Sequence, residues 1–373
     1  MLLWDLSSAF DNINIDILCK KLEAYGFDEL TVSWFEAFLK NRSQKVKING
    51  SHSKTNKLYS GVPQGGIIST LIYVLFVADF EDWLVHAVAT TYADDTQTTV
   101  TGMSIEEVKV KLECDAKNVL RFMASNVLVA NPTKTSFMLI NSQIKSSDIK
   151  IGDTTVTQVE SSKLLGMPMD ANLKWSSHFQ AKGGLKSALN KRLFLLRRLK
   201  NHICKDKLKN VASALWLSKA RYGLQLCGQV RTHSTAPTNS NLLSLQRAQN
   251  KMLRVILNKP YGDQTSAESL LGEAGFKSIN QINAEIKLTE IWKSCNIDNY
   301  PVKFQKHVAL NGMATRSVTS GDLIEFGKIP ATIKSFHGDG SRLWNRCPSA
   351  IKESENIYQA KKNINIFIKT LPV

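Results

Sequence analysis

The chain has 373 residues, 43% apolar and 8% aromatic, enough for two or three domains with real cores, which excludes a disordered tail. Its formal net charge of +16 at pH 7 implies an acidic partner, nucleic acid first and an anionic membrane surface second. The longest apolar run, 71–78, is too short to span a bilayer, and the opening run 2–4 is too short for a signal peptide.

An intracellular protein, nuclear and/or cytoplasmic and free of the membrane, is therefore expected. The charge is unevenly placed. Residues 171–260 hold 18 Lys and Arg against one acidic residue, Asp206, a balance of +17, while the rest of the chain holds 30 basic against 31 acidic residues. A single contiguous basic region suits a segment that tracks a phosphate backbone. Six cysteines stand far apart with no Cys-x-x-Cys pair, so no zinc knuckle or redox motif is indicated and buried reduced thiols are expected.

In chain order, residues 1–6 read as a buried strand that delivers Asp5 to its end. Residues 16–25 have helical spacing, with Gly26 as the stop, and a second helix is expected over 30–39. Residues 44–48 alternate as a basic strand, and Asn49-Gly50 signals a hairpin turn. The apolar run 67–80 reads as a mostly buried helix. Residues 88–92 and 97–100 are β-rich on either side of Asp94-Asp95, which places both carboxylates at a hairpin tip.

Ser104, with Glu107 three residues on, starts a long amphipathic helix to about residue 125. Short strands are expected at 137–140 and 163–167. From residue 178 the character changes to helices with basic faces, such as Leu185, Leu189, Leu193 and Leu196 opposite Lys186, Lys191, Arg197 and Arg198. Residues 232–240 form a polar loop, 243–257 another basic helix, and Gly338 and Gly340 punctuate a neutral C-terminal region.

An acidic pair in a turn is by itself usually just solvated. Asp5, at a strand end that can face the hairpin, adds the oxygen ligands that two divalent ions need. Magnesium, a hard cation that keeps waters and binds phosphates, suits such an open acidic site.

Five segments occur in one order: Asp5-Leu6-Ser7-Ser8-Ala9-Phe10-Asp11, Gly61-Val62-Pro63-Gln64-Gly65, Tyr92-Ala93-Asp94-Asp95, Asn131-Pro132-Thr133-Lys134-Thr135 and Leu164-Leu165-Gly166. In kind and sequence they resemble the palm motifs of reverse transcriptases. Arg221-Tyr222-Gly223, the segment 246–254 and Leu343-Trp344-Asn345 are similar to those of non-LTR retrotransposon polymerases.

The resemblance implies an α+β fold: a right-hand polymerase palm over 1–175 with a small antiparallel sheet packed on helices, a basic helical thumb over 176–260, and a C-terminal extension over 261–373 with no assigned role. It implies a polymerase that copies an RNA template from a DNA primer with deoxynucleoside triphosphates. Asp5, Asp94 and Asp95 would hold two magnesium ions, for which manganese could substitute, and Lys134 would protonate the departing pyrophosphate.

Phe10 would block a ribose 2′-hydroxyl, and Gln64 and Gly65 would meet template or nucleotide. Asp11 matches a family position as a supporting residue, and reads equally well as a helix N-terminal charge before Asn12. Trp216 and Tyr222 read as core aromatics ahead of base-stacking ones. The first palm strand opens at Met1, so the fingers and an endonuclease domain are expected to be missing. The competing reading is a catalytically inactive remnant that keeps nucleic-acid binding through its basic region.

Overall fold

Three apolar residues in a row, Leu2, Leu3 and Trp4, make β1 (Leu2–Trp4) of the computed structural model, a strand buried along its whole length. The structure describes all residues except 7–8, 132–133, 141, 143–147, 181–182, 237–238, 261, 307–319 and 326–334. Ser7, Ser8, Pro132 and Thr133 of the motifs lie outside the described residues.

The chain divides into two units, 1–173 and 174–373. After β1 the first unit continues with α1 (Ile15–Ala24), α2 (Glu29–Leu39), the short strands β2 (Ser43–Gln44), β3 (Lys47–Ile48), β4 (Ser51–His52) and β5 (Asn56–Lys57), then α3 (Ile67–Phe76). It ends with β6 (Val88–Tyr92), β7 (Asp95–Thr99), α4 (Ile105–Ser125), β8 (Ser136–Phe137), β9 (Asp148–Ile151), β10 (Thr154–Thr157), β11 (Ser161–Leu164) and β12 (Met167–Asp170). The mixture of helices and small antiparallel sheets makes the fold α+β.

Helix starts follow the capping chemistry in the sequence. The Asn14 side chain accepts from Asp16 N and Ile17 N, Asp28 from Thr31 N, and Ser104 from Glu107 N. The Glu107 carboxylate reaches back to Met103 N at 2.9 Å, one residue before the position a capping box would use.

The central sheet runs β6-β7-β1-β8, with every neighbouring pair antiparallel. Its core face packs Leu2, Trp4 and Ala89 against Leu18, Leu22, Ile72, Phe76, Leu112, Val119 and Phe122 of the helices. Thr98 is buried there with its hydroxyl satisfied, accepting from Trp4 Nε1 at 3.0 Å.

The expected strand over 44–48 is divided between β2 and β3, which pair with different partners, β5 and β4. The Asn49-Gly50 turn is present, with both residues at positive φ, as a two-residue hairpin of this twist requires. Residues 163–167 are not one strand: Leu165 and Gly166, both at positive φ, form the turn between β11 and β12. The apolar run after residue 67 leaves the α-helix at Phe76, and a 3-10 turn follows over Glu81–Trp83.

The second unit contains α5 (Ser176–Gln180), α6 (Leu185–Leu199), α7 (Lys205–Ala212), α8 (Ser218–Arg221), α9 (Ser240–Ile256), α10 (Ala267–Ala274), α11 (Ile279–Asn296), α12 (Phe336–Arg346), α13 (Ser349–Lys352) and α14 (Ile357–Phe367). Leu185, Leu189, Leu193 and Leu196 are all buried, as their spacing requires. Trp216 is buried in a π-helical stretch between α7 and α8. Tyr222 is exposed, with Lys219 Nζ 5.6 Å from its ring centre, and so is not the core residue expected.

Gly338 and Gly340 do not punctuate a loop. Both lie buried inside α12, where a Cβ on Gly340 would come within 3.1 Å of Ile291 and 3.3 Å of the Phe304 ring, so glycine permits the close approach. Deep in this unit Lys287, 1% exposed, pairs with Asp339 and donates to Gly228 O at 2.8 Å. Asp339 in turn accepts from Val230 N at 3.0 Å, so each buried charge has a charged partner and a backbone one.

Cys227 and Cys347 are buried as expected, but Cys114 and Cys204 are exposed. Among the described residues no helix is long and apolar enough to cross a membrane.

Candidate functional site

Strand register brings the acidic residues together. Leu2, Leu3 and Trp4 pair with Thr98, Gln97 and Thr96, so the next residue along, Asp5, falls opposite Asp95. Opposed residues of an antiparallel pair point to the same face. Asp5 and Asp95 thus share the face of Leu3 and Gln97, away from the buried Trp4 and Thr96.

Tyr92 pairs with Asp95, which leaves Ala93 and Asp94 as a two-residue turn with Ala93 at φ +53°. Asp94 therefore sits at the tip, as expected, but Asp95 is the first residue of β7. Crowding by like charge is felt at Asp95: partial burial, then Asp94, then Asp5 hold its carboxyl above the ordinary aspartate range.

On the other side of β1, Leu3 pairs with Ser136 and Leu6 bridges to Ala130. Trp4 and Asp5 lie between these two pairings on one strand, and Lys134 lies between them on the other. Asn131 N donates to Asp5 O at 2.8 Å and Thr135 N donates to Asn131 O at 3.1 Å. Lys134 Nζ ends 3.5 Å from Asp5 Oδ2, both side chains well exposed.

Phe10 and the Gln64 loop form a second cluster. Val62 N donates to Phe10 O at 2.9 Å and Gly61 N to Ile13 O at 2.8 Å. Gly61, at φ +76°, leaves no space for a Cβ, which would lie 2.7 Å from Asp11 O. Gln64 donates its amide to Asp11 Oδ1 at 2.9 Å, and Gly65, at φ +82°, faces open space. Asp11 thus holds Gln64 in place.

The Phe10 ring stacks on Tyr73 of α3, centres 4.7 Å apart and planes 25° apart. Tyr73 is 1% exposed, and its phenol is pushed up by burial and then by the negative charge of Asp94. Tyr73 thus packs on Phe10 and feels the charge of Asp94.

Two contributors escaped the sequence reading. Tyr73 was hidden in an apolar run; its signal is a lone hydroxyl among aliphatic neighbours. Asp115, 1% exposed on α4, accepts backbone N–H bonds from Val85 and His86 at 2.9 Å each and from Ala87, and so fixes the chain as it enters β6. Its signal is an acid on the apolar face that carries Leu112, Ala116 and Val119.

Three carboxylates with hard oxygen donors fit a divalent cation by donor type. Among the described residues no three acidic, histidine or cysteine side chains are close enough to grip one ion as they stand.

Residues 1–169 match the family model described as reverse transcriptase (RNA-dependent DNA polymerase). The chain is 24% identical over 275 residues to a probable RNA-directed DNA polymerase from transposon BS of Drosophila melanogaster, covering 69% of this chain and 29% of that protein. It is 23% identical over 230 residues to the corresponding protein of the Drosophila melanogaster X-element, covering 59% and 24%. The chain therefore spans under a third of the length of the curated relatives it matches. Members of the reverse transcriptase family generally use divalent metal ions. The matched segment and both relatives point the same way: residues 1–169 are similar to reverse transcriptases, and most of the chain is similar to RNA-directed DNA polymerases of transposons.

Proposed function

We propose that the chain is the polymerising part of an RNA-directed DNA polymerase, with residues 1–173 as palm and the basic helices that follow as thumb. The observation that carries this reading is the register that sets Asp5 beside Asp95 one residue from the Asp94 tip, with Lys134 at Asp5. Asp5, Asp94 and Asp95 are the residues that would hold two magnesium ions, for which manganese could substitute. When bound, the ions activate a primer 3′-hydroxyl and stabilise charge on the departing phosphates.

The protein's own groups align the reactants, a contribution worth many orders of magnitude in rate. Gln64, fixed by Asp11, and Gly65, bare of side chain, present the loop to template and incoming nucleotide. Phe10, backed by Tyr73, fills the space a ribose 2′-hydroxyl would need, so deoxynucleotides are preferred. Lys134 donates a proton to the leaving pyrophosphate. Partners are an RNA template, a DNA primer and deoxynucleoside triphosphates.

The charge of +17 over 171–260 favours a second reading, nucleic-acid binding without turnover. Primer extension on an RNA template with magnesium, compared with Asp94→Ala, separates the two. Extension by the parent chain that the variant loses supports polymerisation. No extension, with salt-sensitive duplex binding equal in both proteins, overturns it in favour of binding alone.

A further inference from the structure

The C-terminal ends of α6 and α9 enclose a cavity of about 270 Å³ whose described lining is Arg197, Lys200, Lys251, Arg254, Val255 and Lys259. Five of these six residues are cationic and none is acidic. Cations in a last helical turn commonly do no more than offset the helix dipole, each contributing about 0.3–1 kcal/mol. One or two would serve that purpose; five around a single concavity repel one another and call for an anion.

Local bonds hold part of this lining in place. Arg254 donates from one terminal nitrogen to Asp263 O at 3.1 Å and Thr265 O at 3.2 Å, while its Nε is buried with no hydrogen-bond partner. Lys200 Nζ is held by Asn258 Oδ1 at 3.1 Å. Glu273 pairs with Lys259 at 2.6 Å from outside the cavity, and the Asp263 carboxylate, bonded by Thr265, also feels Lys259 and Arg254. Arg197 and Lys251 complete the rim.

We propose that this cavity is a phosphate-recognition pocket, taking one or two phosphate groups presented by a nucleic-acid strand or by a free oligophosphate. A guanidinium with fixed orientation suits tetrahedral oxyanions, and the flanking ammonium groups supply charge without demanding geometry. The volume lies just below the roughly 300 Å³ at which pockets for drug-sized ligands begin, so it fits a compact anion better than a whole nucleoside. The lining comes wholly from the second unit, and the inference stands whether or not the chain polymerises.

The test uses the full chain, Arg197→Gln/Lys251→Gln, and Lys186→Gln/Lys191→Gln as a control that removes the same charge near the start of α6. Inorganic tripolyphosphate is followed by thermal shift, and a labelled RNA–DNA duplex by anisotropy at fixed salt. A pocket predicts that the first variant loses about tenfold or more in affinity while the control loses about threefold or less.

If only duplex binding shows that difference, the phosphate belongs to a strand; if only tripolyphosphate does, it is a free anion; both outcomes support the pocket. Equal losses in the two variants, or no effect in either, overturn it. Because the altered side chains are on the rim, circular dichroism of both variants is expected to match the parent.

Discussion

Lys134 Nζ lies 3.5 Å from Asp5 Oδ2, so the cation expected to serve the leaving group rests on a carboxylate expected to hold metal. The two roles compete for one oxygen. Lys134→Ala should slow primer extension by about 100-fold or more, the range for a lost general acid. It should also leave thermal stabilisation by magnesium equal or greater, because Asp5 is freed. A simple drop in magnesium response would instead make Lys134 a structural partner of the site.

Asp95 carries a pH signature. Its carboxyl titrates above the ordinary aspartate range, so the folded chain retains a proton that the unfolded chain gives up. Without divalent ions, its contribution to stability falls as pH rises from that ordinary range through the raised value, and the penalty is fully present at neutral pH. Asp95→Asn should therefore raise the melting temperature at pH 7 and flatten this acid-side dependence. Added magnesium should stabilise the parent more than the variant, as a differential scanning titration with and without the ion can show.

Asp115 works at a distance from the acidic face. Replacing it with Ala leaves three consecutive N–H groups, of Val85, His86 and Ala87, without their acceptor. The expected cost is about 2–4 kcal/mol by urea denaturation, with amide exchange accelerated first along β6. If exchange there is unchanged, the carboxylate is not what anchors the hairpin.

Lys287 should be less tolerant still. Lys287→Met strands Asp339 in the core of the second unit, and removing one partner of a buried pair costs about 3–5 kcal/mol. The double variant Lys287→Met/Asp339→Leu should recover part of that loss. It should not recover all of it, since Val230 N would still lack its acceptor, whereas Gly228 O keeps the Asn283 amide at 3.1 Å.

Legibility from the sequence followed the range of the interaction. The Ser104 cap, the leucine face of α6 and the Asp94 turn rest on neighbours a few positions away, and residue type and period suffice to find them; the Asn14 and Asp28 caps are equally local but were missed. Register across the sheet does not: that Asp95 opens β7 and faces Asp5 depends on pairing across the whole unit. Gly340 misled because glycine serves both turns and close helix packing, and only the positions of Ile291 and Phe304 decide between them. Tyr73 and Asp115 were illegible as site elements because their partners, Phe10 and the 85–87 backbone, are remote in sequence.

The pairing of Trp4 with the β7 strand also bears on folding rate. Trp4 and Thr98 are 94 positions apart, and the acidic face exists only once chain segments so separated have met. Closing such long loops is slow, because entropy is lost before any contact compensates it. Acquisition of metal affinity during refolding should therefore lag behind formation of α1, α2 and α4, making the bound ion a late reporter of native topology rather than a nucleus for it.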